Sequence, residues 1–378
     1  MIYLGTFAFS VICIYFASNE EGKRNRYFII FVYALALLLP TIIAGARDVT
    51  VGTDTSGYLS YFEAVKSSNS LVNALTNAYL RRAGIEPGFI LLNYLVFKLN
   101  LDFPVLLGLM SFLTQLFILL GARLNREKCP IWLVMFCFYM LFYCNFLNIA
   151  RQGIALSILF LGTYYLDHSK YRTYIFYIVI AGLIHNSAFI GGILLLIIHI
   201  YIDKHRSYWK SLIVVVLSTS VLYFFSDLVK FIGRFIPGYI AYLGYFNNQN
   251  IIFSPVELLY HVPFLIFATL YYKSLLKYDS CFFTNYLYLW IDLILSQLGA
   301  VVGPLSRISL YFAFYKLIIT PEFYMIYRTN GPDKISTKIV LYTIFVSLMV
   351  FFVWRVIMNG YGFGMPIYPY TSKILGIG

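Results

Sequence analysis

Apolar runs of roughly 15 to 20 residues recur along the whole chain, separated by short polar connections, and each is long enough to cross hydrocarbon of ~30 Å as a helix. Runs such as "FIIFVYALALLLPTIIAGA" show no period-two alternation. Lipid leaves no backbone group unsatisfied, so the choice lies between helices and a closed barrel, and this pattern predicts helices. The expected spans are 2–18, 27–46, 103–121, 131–147, 150–166, 173–185, 187–202, 211–225, 257–272, 281–298, 305–320 and 338–357. The stretch "FILLNYLVFKLNL" at 89–101 is too short for a comfortable crossing. It reads as a half-helix or re-entrant segment, with a thirteenth full span as the alternative. The expected fold is therefore an all-α polytopic integral membrane protein with about 12 transmembrane helices plus one short or re-entrant segment. It forms a single membrane domain over 1–378, with outward loops at 47–88 and 226–256.

Basic residues fall in alternate connections: Lys23, Arg24 and Arg26; Arg123, Arg126 and Lys128; Lys170 and Arg172; Lys204, Arg206 and Lys210; Lys273 and Lys277; Arg328, Lys334 and Lys338. The positive-inside rule puts all six on the cytoplasmic side and, with twelve spans, both termini outside. The first 17 residues have no basic leader and no clean small-residue cleavage site, and read as a retained span. Composition agrees: 61% of residues are hydrophobic and only 12% charged, with 35 Tyr and 35 Phe to fill helix interfaces and membrane-surface belts. The net charge of +12 is explained by cytoplasmic Lys and Arg facing anionic lipid, so no nucleic-acid partner is expected. Five cysteines show neither metal-ligand spacing nor a disulfide framework.

Single ionisable residues gather in the remaining, outward connections. The richest is "ARDVTVGTDTSGYLSYF" at 46–62, which holds Arg47, Asp48, Asp54 and Tyr58 and continues to Glu63, Arg81, Arg82 and Glu86. As an ordinary loop, Arg47 would snorkel to headgroups and Asp54 would cap the helix beginning near Ser56. Three charges within eight residues favour a polar chamber instead. "NIARQGIALSILF" at 148–160 opens a span with Asn148, Arg151 and Gln152. A guanidinium, two amides and the free N–H groups of a first helical turn make an anion site, although a snorkelling arginine would look similar. His185 and Asn186 stand at the joint "LIHNSA" between two apolar runs, where a histidine can serve a function or merely hydrogen-bond between helices. Arg307 in "PLSRISLYF" repeats the arginine at a helix mouth. His261 and Asp292 lie within spans and are functional candidates on that ground, without an evident partner in the sequence. The chain lacks a P-loop, GxGxxG, GxSxG, HExxH and any Asp-x-Asp pair, so an anion handled here would meet arginines, and neither metal nor cofactor is expected.

"RDVTVGTDTSGY", "EPGF", "NIARQGIALSI", "LIHNSAFI", "SRISLYF" and the closing "YPY" occur in an order and spacing that resemble EpsG-like, Wzy-type bacterial polysaccharide polymerases. The resemblance covers nearly the whole chain and is patchy across 211–300. It implies a metal-independent, GT-C-like enzyme of the inner membrane with its site facing the periplasm. Such an enzyme polymerises oligosaccharide repeat units carried on undecaprenyl diphosphate into O-antigen or exopolysaccharide, in membrane lipid and alongside a Wzz-type chain-length regulator and a flippase. Leaving diphosphate develops negative charge that needs preorganised cations, and Arg47, Arg151 and Arg307 are the candidates. The acceptor hydroxyl needs a general base, for which His185, Asp54 and Glu86 compete; analogy with ligases favours His185, then Asp54. Tyr58, Gln152 and Asn186 are expected to hold sugar hydroxyls. A lipid-linked oligosaccharide flippase and an O-antigen ligase are the rival readings: the first should carry charges deep in many spans, and the motif order argues against the second.

Overall fold

The computed structural model describes residues 2–203, 208–233, 255–297, 306–330, 334–358 and 367–378, and these are helical almost throughout. Among the described residues, five helices are long and apolar enough to cross a membrane: Ile2–Glu20, Arg26–Ala46, Phe103–Leu124, Ile131–Asn148 and Lys338–Val356. Shorter apolar helices include Pro87–Lys98, Tyr171–Ile184, Ser187–Ile202, Trp209–Ser220 and Glu257–Leu270. Large apolar side chains such as Ile12, Phe31 and Leu38 remain exposed on the long helices, the surface a lipid solvent calls for. The protein is a membrane-embedded helical chain.

Two expected elements take a different form. The span expected at 305–320 is broken at Phe314 and Tyr315 into the helices Ser306–Ala313 and Lys316–Asn330. The helix Tyr208–Gly233 runs further than expected and carries Asp227 and Lys230, expected in the loop at 226–256. Residues 234–254 of that loop, Arg234 among them, lie outside the described residues, as do the 298–305 stretch before Ser306 and 359–366 before the closing "YPY". The segment at 89–101 is a helix of 12 residues, Pro87–Lys98, about 18 Å long at 1.5 Å per residue and too short to span. The loop at 47–88 is itself built of short helices, Thr55–Ser67, Leu71–Thr76 and Ala78–Arg82. Two of them start on side-chain caps: Ser70 accepts from the Asn73 N–H, and Asn77 accepts from Tyr79 and Leu80.

The chain divides into two compact units, one of residues 1–189 with 327–378 and one of residues 190–326. In the first, Phe103–Leu124 packs against both Arg26–Ala46 and Ala150–Asp167, and the latter also packs on Tyr171–Ile184. Gly45 permits one of these crossings, since a Cβ there would lie 2.8 Å from the Pro104 carbonyl oxygen. A buried polar network joins four helices. Tyr139 shares a hydrogen bond with Ser10 (2.7 Å) and donates to Gln115 (2.9 Å), and Tyr143 donates to the Pro40 carbonyl oxygen. Both tyrosines sit in a π-helical turn, Tyr139–Tyr143, within Ile131–Asn148. In the second unit, Phe282–Ser296 packs against Ser306–Ala313, Pro255–Leu270 and Tyr208–Gly233.

The first unit has two chemically distinct ends. At one, Glu21 pairs with Arg123 (2.6 Å) and Arg126 (3.1 Å), and Lys128 approaches Asp167 (3.9 Å). Three of the basic connections found in the sequence thus share an end. The helices beginning at Arg26, Ile131 and Tyr171 run away from it and finish at Ala46, Asn148 and Ile184, so the polar residues that follow them gather at the other end.

Candidate functional site

At that other end, Glu86, Arg151, His185 and Asn186 meet. "EPGF" explains how Glu86 gets there. Pro87 opens the helix Pro87–Lys98 at its first turn, where a missing N–H costs nothing, and Glu86 stands at the N-cap without capping. Gly88 lets this helix press against the end of Tyr171–Ile184: a Cβ on it would come within 2.6 Å of the Leu183 carbonyl oxygen. Phe89, fully buried, packs edge-on to Tyr58 with ring centroids 5.9 Å apart. The helix Tyr171–Ile184 ends at His185, whose extended backbone (φ −154°, ψ 118°) turns its side chain toward Glu86.

The Glu86 carboxylate is filled on both oxygens. Oε1 accepts from His185 Nδ1 at 2.9 Å and from the Asn186 N–H at 3.0 Å, and Oε2 pairs with Arg151 Nη1 at 2.5 Å. Glu86 side-chain exposure is 3%, while Arg151 keeps 18% and His185 17%, so the carboxylate lies beneath two groups that reach the surface. Burial pushes the Glu86 carboxyl up, but the His185 hydrogen bond, the Arg151 charge and the Asn186 N–H outweigh it and hold the carboxyl below its ordinary value. An ionised carboxylate only accepts, so Nδ1 carries the hydrogen in the contact with His185. In the neutral ring Nε2 is then the acceptor, and it has no hydrogen-bond partner among the described residues. Arg151 also lies over the rings of Phe89 (5.4 Å) and Tyr61 (5.8 Å). Chemically this is a fixed-tautomer imidazole beside a guanidinium, both positioned by one buried carboxylate.

Asn148, three residues before Arg151 in the chain, anchors the 46–62 segment. Its side-chain oxygen accepts from the Thr53 hydroxyl (2.8 Å) and the Asp54 N–H (2.9 Å), and its carbonyl accepts from the Tyr58 hydroxyl (2.9 Å). Asp54 occupies the N-cap position of Thr55–Ser67, half-buried, but its side chain makes no capping bond. Tyr58 and Gln152 are buried, whereas the Asn186 side chain is exposed. Arg47 is only 5% exposed and donates to the carbonyls of Ala44 (2.6 Å) and Leu147 (2.9 Å), a cation at two helix C-termini. The carbonyls left open at the end of Arg26–Ala46 are closed by the chain's C-terminal segment as well: Tyr370 donates to Ile43 (3.0 Å) and Ser372 to Ala46 (2.5 Å). Asp48 is tied to the same segment through the Lys373 N–H (2.9 Å), the main reason its carboxyl sits below its ordinary value. Arg307 opens the helix Ser306–Ala313, half-buried, in the second unit.

Of the nine sequence-predicted site residues, the structure brings Glu86, Arg151, His185 and Asn186 into direct contact, and ties Asp54 and Tyr58 to Asn148, three residues before Arg151. Tyr61 and Phe89, which flank the guanidinium, were not singled out; aromatic residues are too common in this chain for two more to stand out. His261 and Asp292, which showed no partner in the sequence, are partners of each other at 2.7 Å. Lys316, inside an apolar run, completes their group and was the missed signal.

No curated protein and no solved structure gives a match to the chain. The profile of the EpsG family matches residues 28–372, nearly the whole chain, and the chain accordingly belongs to that family, whose members are Wzy-like polymerases.

Proposed function

We propose that the protein joins oligosaccharide repeat units carried on undecaprenyl diphosphate into a polysaccharide, at the periplasmic face of a bacterial inner membrane, with His185 as general base. The single observation that carries this reading is the buried Glu86 carboxylate holding His185 and Arg151 side by side at the end of the first unit opposite the basic connections. In the reaction, His185 Nε2 takes the proton of an acceptor sugar hydroxyl. The oxygen forms a bond to the anomeric carbon of the donor as the bond from that carbon to the diphosphate oxygen breaks. The electron pair leaves with the diphosphate, and the Arg151 guanidinium, which keeps donors beyond the one given to Glu86, meets the developing charge. Glu86 stabilises the imidazolium that forms and does not itself take the proton.

On this reading Asn186 offers its exposed amide to a sugar hydroxyl. Tyr58, Gln152 and Arg47 shape the site from within, and Asp54 orients the acceptor. The experiment is deletion of the gene followed by gel analysis of surface glycan. Single-repeat product without a ladder supports the polymerase. Polymer retained on the lipid carrier would mean a ligase, and loss of all glycan a flippase.

A further inference from the structure

The proposed reaction uses Arg151 but leaves unexplained the aromatic rings that lead away from it. The guanidinium carbon lies 5.8 Å from the Tyr61 ring centroid, and the Tyr61 and Tyr79 centroids are 6.1 Å apart with the rings tilted by 41°. Tyr61 is half-buried on the helix Thr55–Ser67. Gly57 precedes it by one helical turn on the same face, where a Cβ would touch the ring at 3.9 Å, so the glycine leaves that edge bare. Tyr79 is 50% exposed, yet its short helix, Ala78–Arg82, is fixed at both ends. At the start, the Asn77 side chain accepts from the Tyr79 and Leu80 N–H groups and donates to the Ser68 hydroxyl (3.2 Å), which ties this helix to the end of Thr55–Ser67. At the finish, Gly84 turns the chain with φ +64°. Its N–H donates to the Arg81 carbonyl oxygen (3.1 Å) and the Ile85 N–H to that of Leu80 (3.0 Å), a closed C-terminal cap from which the chain passes straight to Glu86. Leu80 between them is fully buried. A half-exposed ring held this firmly, one turn from the carboxylate that positions His185 and Arg151, is a preorganised surface.

We propose that Tyr61 and Tyr79 form a saccharide-stacking platform for the donor, an inference that rests on the assignment of the donor diphosphate to Arg151. The first sugar of the donor is joined to its diphosphate through a single oxygen, so a diphosphate at Arg151 brings that sugar against a ring beside the guanidinium. Of the two rings there, Phe89 is fully buried and Tyr61 is not, so the first sugar meets Tyr61 and the next one runs toward Tyr79. One face of a pyranose is a patch of C–H groups, whose slight positive charge is attracted to the electron-rich face of an aromatic ring. The hydroxyls on its rim stay free for water and for amides such as that of Asn186. Tyrosine suits the task because little side-chain freedom is lost when it binds. A polyprenyl tail would require hydrocarbon around it, whereas Arg81 and Arg82 are exposed on the same short helix as Tyr79 and mark the surroundings as aqueous. The platform therefore takes the saccharide of the lipid-linked unit, and it selects sugars that present an open C–H face.

The test is equilibrium binding of two lipids to the full-length protein in lipid nanodiscs: undecaprenyl diphosphate, and the same lipid bearing the repeat unit, extracted from cells lacking the gene. Tyr79→Ala is expected to bind the glycosylated lipid about 3- to 10-fold more weakly than the native protein and the bare lipid equally well. The bare lipid is thus an internal control for folding. Tyr79→Phe and Tyr61→Phe keep the ring faces and are expected to bind both lipids as the native protein does. An equal loss for both lipids in Tyr79→Ala would make Tyr79 a structural or lipid contact, and unaltered binding of both would give it no contact with the saccharide. Either result overturns the platform. So does a Tyr79→Phe protein as weak as Tyr79→Ala, which would make the hydroxyl and not the ring face the contact. Turnover by the native protein is followed separately: the expected binding pattern without any joining of repeat units refutes the proposed function and leaves the platform as a binding site.

Discussion

Replacing Glu86 by Gln keeps the shape of the side chain and removes its charge. In the native site one oxygen serves His185 and the Asn186 N–H and the other serves Arg151. An amide offers one acceptor and one donor, so its NH₂ must face either the guanidinium or the imidazole, donor against donor. Breaking a fully buried ion pair from one side costs about 3–5 kcal/mol. Arg151 and His185 keep 18% and 17% exposure, and water relieves part of that, so a loss of about 2–3 kcal/mol in stability is expected. The effect on rate should be larger. With the histidine tautomer no longer fixed and the imidazolium unsupported, a loss of about 10³–10⁴-fold follows from the behaviour of carboxylate–histidine pairs, equivalent to about 4–5.5 kcal/mol. The assay is conversion of lipid-linked repeat units by purified protein, at a temperature where melting shows both forms folded. A Glu86→Gln protein that melts lower yet polymerises within about tenfold of the native rate would reduce Glu86 to a structural tie and refute its positioning of His185.

The same carboxyl sets a pH dependence. Its folded-state value lies below the ordinary glutamate value of 4.5, so its contribution is complete above that value and is lost as pH falls through the folded one; the gap in melting temperature between native protein and Glu86→Gln should close in that acid range and stay open above it. Gly88→Ala places a methyl group 2.6 Å from the Leu183 carbonyl oxygen and should cost about 1–3 kcal/mol while moving Glu86 away from His185, so kinetics should suffer more than melting. Arg151→Lys keeps the charge but loses the planar fork, and shortened or absent polymer at equal expression is expected; normal polymer would return Arg151 to a lipid-facing anchor. His185→Gln should abolish polymer, whereas Asp54→Asn, which removes the carboxylate that orients the acceptor but not the base, should lower its amount without abolishing it; the reverse result would move the base to Asp54, and an unchanged amount would leave Asp54 no role in the acceptor site. Tyr370→Phe leaves the buried Ile43 carbonyl open and should lower stability by about 1–3 kcal/mol, read by thermal melting.

Read by itself, the sequence determined whatever depends on local pattern. Helix rather than strand, the placement of nearly every apolar helix, the shortness of the 89–101 segment and the alternation of basic connections all follow from runs of side chains that neighbours in the chain can express. It also marked Glu86, Arg151 and His185 as unusual, because charge in so apolar a chain is conspicuous. What it could not show was which of them meet. Glu86 and His185 lie 99 residues apart, and their contact depends on a glycine that lets two helices close to backbone distance. Arg47 looked equivalent to Arg151 for the same reason: both open a polar stretch at a helix end. Only the fold separates them, because Arg47 turns inward onto the carbonyls of Ala44 and Leu147 while Arg151 stays partly open beside a carboxylate. His261 and Asp292 likewise seemed isolated until the break after Ala313 placed Lys316 at the start of its own helix, within reach of both. Periodicity is written in neighbouring residues, but partnership between distant charges is decided by how closely helices pack, and that is a property of the tertiary structure alone.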